Sequence, residues 1–246
     1  MIRGLREICR RHMFFPGWLG IFINPFYFAR AGLRDAMTEF APRLSGHLLD
    51  VGCGSKPYRS LFEVDGYIGL DIESELSRER KVADFYYDGN IFPFADATFD
   101  AVLCNQVFEH VFNPDQFLAE IVRVLKPGGK LLLTVPFVWD EHEQPYDYAR
   151  YSSFGLHALM KKQGLKVIQH RKLGADATIL FQLTNAYLFK VTQGWPRPAK
   201  LLLTTTVMAF INLSGLVSRK IMPGNPDLYL DNVVLAEKGT RNNSLG

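Results

Sequence analysis

Apolar residues fall along this chain in short runs, separated by stretches with helical spacing. Leu48, Leu49 and Val51 form the first run, closed by Gly52 and Gly54. Tyr67–Leu70 is a second and ends at Asp71. Ala101–Cys104 is a third. Lys130–Val135 is a fourth, introduced by a Lys126-Pro127-Gly128-Gly129 turn. Between them the period changes. Phe28, Leu33, Met37 and Phe40 recur at helical spacing within 25–43, and Phe117, Leu118, Ile121, Val122 and Leu125 share one face of a helix over Asp115–Leu125. Tyr58–Glu63 reads as another helix. Ser152 and Ser153 cap one through Gln163, where Gly164 stops it, and Leu165–His170 follows as a strand. Short apolar strands alternating with helices imply a parallel sheet covered on both faces.

Residues 174–222 break this rhythm. They are apolar, helix-prone and interrupted by Gly194, Pro196 and Pro198, and strand-like Asn232–Glu237 follows them, so they read as an insertion. The expected organisation is a helical, aromatic cap over 1–45 and a core over 46–173. A helical insertion or lid covers 174–222, and a last strand with a frayed polar tail from Lys238 covers 223–246. Cap and insertion are expected to close over the site.

Composition narrows the class. Of 246 residues, 48% are hydrophobic and 22% charged, which excludes a disordered or collagen-like chain. Cys9, Cys53 and Cys104 are too few and too scattered for a disulfide framework or a cysteine zinc site, so a reducing, cytoplasmic setting is expected. The net charge of +3 hides an asymmetry: residues 1–47 carry 7 basic and 3 acidic side chains, 48–156 carry 9 and 18, and 157–246 carry 12 and 4. An acidic middle suits a catalytic domain and argues against a nucleic-acid partner, while the basic flanks suit something anionic. Each flank holds a long uncharged run, Met13–Ala29 and Leu201–Ser218. Prolines and glycines spoil the first as a membrane span. Thr204, Thr205, Thr206, Asn212, Ser214 and Ser218 scatter around the second, so it is not cleanly amphipathic. A helix packed on the core is one reading. Peripheral contact with a membrane is the other, through Phe14, Phe15, Trp18, Phe22 and Phe26 near Arg10 and Arg11, and through Leu201–Ser218 between Lys200 and Arg219-Lys220.

The candidate chemistry begins at Leu48-Leu49-Asp50-Val51-Gly52-Cys53-Gly54-Ser55-Lys56-Pro57. A strand ends in an acid, and two glycines let the backbone pass beneath a ligand. A helix is expected next, its N-terminus facing an anionic group. Asp71, twenty-one residues after Asp50, stands where an acid accepts from a ribose diol. A nicotinamide dinucleotide site would place a third glycine where Pro57 stands, which weighs against it. The sequence continues with Asp88-Gly89-Asn-Ile-Phe-Pro-Phe, Phe99-Asp100-Ala-Val-Leu-Cys-Asn105, Glu109-His110 and Arg123-Val-Leu-Lys-Pro-Gly-Gly129.

In that order and spacing the chain resembles the class I S-adenosylmethionine-dependent methyltransferases, and within them the small-molecule, type 11 branch that includes ubiquinone and menaquinone methylases. The resemblance covers about residues 46–170. It implies a doubly wound, Rossmann-like α/β sheet of seven mostly parallel strands with an antiparallel last hairpin, and S-adenosyl-L-methionine as cofactor. It implies that Asp50, Gly52 and Gly54, with Cys53, approach the methionine part. Asp71, with Ile72, holds the ribose; Asp88, with Gly89, meets the adenine; and Asn105 lines the methionyl end. The expected activity is in-line methyl transfer to a small molecule, glycan or lipid-linked intermediate. A non-catalytic cofactor-binding protein and a membrane-associated scaffold are the alternatives.

Candidates for a general base lie after the fourth and fifth strands, where open α/β sheets bind ligands. They are Glu109, His110 and His142. Tyr146, Asp147, Arg150 and Tyr151 are candidates for the substrate, Arg150 through an anionic group. His110 and His142 show no metal-ligand spacing, so no metal is expected.

Overall fold

The computed structural model describes residues 12–74 and 82–240; Cys9, Arg10, Arg11 and the tail beyond 240 lie outside them. Two compact units form, each discontinuous in sequence. One comprises Thr38–Phe137, Glu141–Arg171 and Asn232–Gly246, the other Met1–Met37, Val138–Asp140 and Lys172–Asp231.

The first unit is built on a sheet. Its strands are β1 (His47–Val51), β2 (Gly66–Ile72), β3 (Phe85–Tyr87), β4 (Phe99–Asn105), β5 (Leu125–Pro136), β6 (Leu165–Leu173) and β7 (Asp231–Lys238), in the order β3-β2-β1-β4-β5-β7-β6. The pairings β1–β2, β1–β4, β2–β3 and β4–β5 are parallel. The last two strands run antiparallel: Leu230 N–H donates to Leu173 O, at the start of β7 and the end of β6, and Gly239 N–H to Gly164 O at the opposite ends. The mostly parallel, doubly wound sheet expected from the sequence is therefore present. Leu48 and Leu49 point to opposite faces of the central β1, yet both are fully buried, so both faces are covered. Two helices join the core, α3 (Pro114–Val124) and α4 (Ser153–Lys162). Phe117, Leu118, Ile121 and Val124 of the first and Leu156 and Met160 of the second bury against sheet residues, each worth about 1.5–3 kcal/mol of transfer free energy. Pro114 starts α3, where its missing N–H costs nothing. Ser152 Oγ accepts from Gly155 N–H to cap α4.

Two expectations need correction. The helix expected over Tyr58–Glu63 is a single 3-10 turn, Arg59–Leu61. Lys56 turns through the left-handed region at φ 51° immediately before Pro57, and the chain runs on to β2 without a helix. The glycine loop thus has no α-helix N-terminus behind it. The turn at Lys126–Gly129 lies within β5: Phe99 faces Leu125 and Ala101 faces Lys130, so the strand bulges there.

The second unit is helical: α1 (Gly20–Ile23), α2 (Tyr27–Phe40, which crosses into the first unit), α5 (Thr178–Val191) and α6, one 25-residue helix over Arg197–Ile221. Its interior is polar where helices meet. Gln182 accepts from Phe28 and Ala29 N–H and donates to Pro25 O. Asn185 donates to Asn212 Oδ1, and Asn212 to Ile21 O and Asn24 O. A π turn, Thr204–Met208, interrupts α6. The hydroxyls of Thr204, Thr205 and Thr206 donate to the carbonyls of Lys200, Leu201 and Leu202, so these residues make no demand on water.

Candidate active site

The loop after β1 opens a cleft lined by Asp50, Gly52, Cys53, Pro57, Tyr58, Tyr67, Leu103 and Asn105. Gly52 stands at φ 68°, and a Cβ there would collide with Val107. Gly54 stands at φ 46° with no heavy atom within 4 Å of where a Cβ would project. The loop therefore presents bare backbone at its outer edge. The N–H groups of Gly52 and Cys53 donate to Leu70 O, which pins the loop to the end of β2.

Asp50 is buried at the cleft floor and accepts from Tyr67 Oη at 2.5 Å. Burial pushes its carboxyl up to about 7, although the Tyr67 hydrogen bond and the nearby Lys56 charge pull the other way. Burial also pushes the Cys53 thiol up to about 12 and the Cys104 thiol well above its ordinary range, so neither offers a thiolate. Asp71 lies near the end of β2, partly exposed, and its Oδ1 accepts from Ile72 N–H at 2.9 Å. Asp88 opens the turn after β3 and accepts from Asn90 N–H, which with other turn N–H groups holds it below its ordinary range. Gly89 follows at φ 92°, beside the exposed Ile72. Asn105 ends β4, where its Oδ1 accepts from Thr134 Oγ1.

Sequence reasoning missed Tyr67, Lys56 and Asp84. Lys56 lies over the bare Cα of Gly69 and pairs with Asp84 at 2.7 Å, and Asp84 also accepts from Gly69 N–H. The period of two along β2 held a signal: Tyr67, Gly69 and Asp71 share one face.

On the next strands the structure brings the three base candidates together. Glu109 and His110 sit in a 3-10 turn after β4, and His142 in the segment after β5. Glu109 has no solvent exposure, and its Oε1 lies 3.7 Å from His110 Nε2 and 3.8 Å from His142 Nε2. The two imidazoles meet edge to face at 4.8 Å between centroids. His110 Nδ1 is 2.8 Å from Tyr146 O. His142 Nδ1 is 3.3 Å from Asp147 Oδ2, and the same oxygen accepts from His142 N–H at 2.9 Å. Tyr148 and Ala149 N–H donate to Glu109 O and tie the two segments together.

The remaining loop candidates have partners within the chain. Both guanidinium amino groups of Arg150 reach Asp147 at 2.6 Å, so the anion that faces Arg150 is Asp147. Burial would raise the Asp147 carboxyl, but the Arg150 fork and the His142 N–H outweigh it and hold it at about 2. Tyr151 stacks on Phe108 at 4.7 Å and joins the core. Tyr146 remains exposed.

A family profile described as a methyltransferase domain matches residues 49–133. The chain is 35% identical over 142 residues to the demethylmenaquinone methyltransferase of Symbiobacterium thermophilum, a match spanning 51% of this chain and 53% of that one. It is 30% identical over 214 residues to the malonyl-[acyl-carrier protein] O-methyltransferase of Erwinia billingiae, spanning 70% and 85%. The solved structure of the cyclase SpnF superposes with a TM-score of 0.53 at 20% identity, covering 84% of this chain and 82% of that one, which establishes a shared fold. With the bare glycine loop, the Asp50 and Asp71 strand ends and a relative matched over most of its length, the chain belongs to the class I S-adenosylmethionine-dependent methyltransferases of the small-molecule type.

Proposed function

We propose that the chain methylates a small molecule whose nucleophilic atom is held at Glu109, His110 and His142, beside the cofactor cleft. The observation that carries this reading is the convergence of these three side chains at the carboxyl ends of β4 and β5, the edge where open α/β sheets bind ligands. Asp50, Gly52, Gly54, Asp71, Asp88 and Asn105 would hold S-adenosylmethionine. When bound, it supplies an electrophilic methyl group on a sulfonium.

The chain's own work is alignment and proton management. Asp147 at His142 Nδ1 favours the tautomer protonated there and leaves Nε2 as the basic atom. Tyr146 O does the same for His110. An acceptor that must lose a proton gives it up at this cluster. Relatives named for a quinone precursor and for an acyl-carrier-bound malonyl group are compatible with such an acceptor. His142→Ala should slow methyl transfer about 10²-fold or more while cofactor affinity stays unchanged. Equal loss of cofactor affinity would move the cluster out of the acceptor site.

We also propose that the helical unit meets a membrane surface. Leu202, Val207, Phe210, Leu213, Val217 and Ile221 of α6 all face outward. The spacing of five from Leu202 to Val207 spans the π turn, whose wider winding keeps the stripe in register. Only 22% of the most apolar window of α6 is buried, and Arg197, Lys200, Arg219 and Lys220 stand at its ends. The polar residues that made the sequence look unsuited are accommodated: the threonines bond within the helix, and Asn212 faces the other helices. A lipid surface covers an apolar stripe with basic ends better than water does.

A further inference from the structure

We infer that Glu109, His110 and His142 form a binding site for a divalent transition-metal ion, with an open position for an oxygen of the methyl acceptor. One ligand atom from each of Glu109, His110 and His142 lies within 4.8 Å of the other two. A tetrahedral ion with bonds of about 2.0–2.1 Å sets its ligand atoms about 3.3 Å apart. The two Glu109–histidine separations, 3.7 and 3.8 Å, exceed that by about half an ångström, within reach of a side-chain adjustment.

The donor set suits such an ion. Two imidazoles and one carboxylate leave coordination positions for other ligands. The surroundings match those that hold metal-ligating histidines: each Nδ1 faces an acceptor, Tyr146 O for His110 and the Asp147 carboxylate for His142, which turns each Nε2 toward Glu109. Arg150 fixes Asp147 in turn. An ion at this point would also face the fully buried carboxylate of Glu109. Sequence spacing could not reveal the site, because His142 lies 32 residues from His110 and only the adjacency of β4 and β5 joins them. A bound ion would occupy both Nε2 atoms, so an acceptor hydroxyl or enol would lose its proton to water after polarisation by the ion rather than to a histidine. That role rests on the acceptor site proposed above, whereas ion binding stands on the cluster geometry alone.

The test is titration of the full chain with Co²⁺, followed by its visible ligand-field bands, with no cofactor or acceptor present. One ion per chain is expected, competed by Zn²⁺. His110→Ala/His142→Ala should abolish it, and Asp147→Asn should weaken it about 10- to 100-fold. In the unsubstituted protein, Zn²⁺ should shield His110 and His142 from diethyl pyrocarbonate, a readout that needs no folded variant. No stoichiometric binding, retention of the bands in the double variant, or unshielded histidines would overturn the proposal. Failure here leaves the methyltransferase reading intact, since cofactor affinity and methyl transfer are measured separately.

Discussion

Asp50 sits in an environment far from its solution chemistry. Its folded pKa, about 7, lies above the ordinary value near 4, so the folded state holds a proton that the unfolded chain releases. Its stabilising contribution is therefore complete below pH 4, declines as the pH rises toward 7 and is spent above that. Asp84, Asp100, Glu120 and Asp147 are held below their ordinary values, so their contributions fade only as the pH falls from about 4. Within the window from 4 to 7, substitution of Asp50 isolates its contribution from that of the histidines. Thermal melts of Asp50→Asn should show a flatter pH dependence there than the unsubstituted protein; an unchanged slope would mean that Asp50 ionises normally. Asp71 tests the cofactor side. Asp71→Ala should weaken S-adenosylmethionine binding by about 1.5–3 kcal/mol, the scale of hydrogen bonds to a charged group, and unchanged affinity in a folded variant would remove Asp71 from the ribose site. Asp50 and Asp71 were legible in the sequence because each ends or nearly ends an apolar run. Tyr67 was not, because a strand tyrosine looks like an ordinary β-former until its hydroxyl is seen to meet Asp50.

At the scale of elements, strands were read better than the segments between them. β1, β4 and β7 bury most of their residues, which produces short apolar runs. The helix expected at Tyr58–Glu63 failed because local propensity there is weak and the left-handed turn at Lys56 redirects the chain. The α6 helix shows the opposite case. Its threonines and asparagine read as polar interruptions from sequence, yet backbone acceptors absorb them and leave the outer stripe apolar. Phe210 and Ile221, 69% and 76% exposed, dominate that stripe. Co-sedimentation with anionic vesicles at low salt should pellet the protein, with about 1 kcal/mol from each basic residue engaged. Phe210→Asp/Val217→Asp should abolish pelleting, and high salt should weaken it. No pelleting of the unsubstituted protein at low salt would contradict the membrane contact.

At the scale of the molecule, the sheet unit carries both the cofactor cleft and the Glu109–His110–His142 cluster. The parallel sheet was legible from strand and helix alternation. Both segments of the helical unit read as helical, but their joining did not, because Gln182 bonds to residues more than 150 positions away. The cluster was half legible: its members were recognised singly as chemistry-bearing residues, but their meeting depends on β4 and β5 lying side by side. The most direct test of methyl transfer is incorporation of a labelled methyl group from S-adenosylmethionine into a small-molecule extract. The unsubstituted protein should incorporate label into a small molecule, and His142→Ala should incorporate little at equal cofactor occupancy. Full cofactor binding without incorporation into any fraction, or equal incorporation by His142→Ala, would contradict the proposed function.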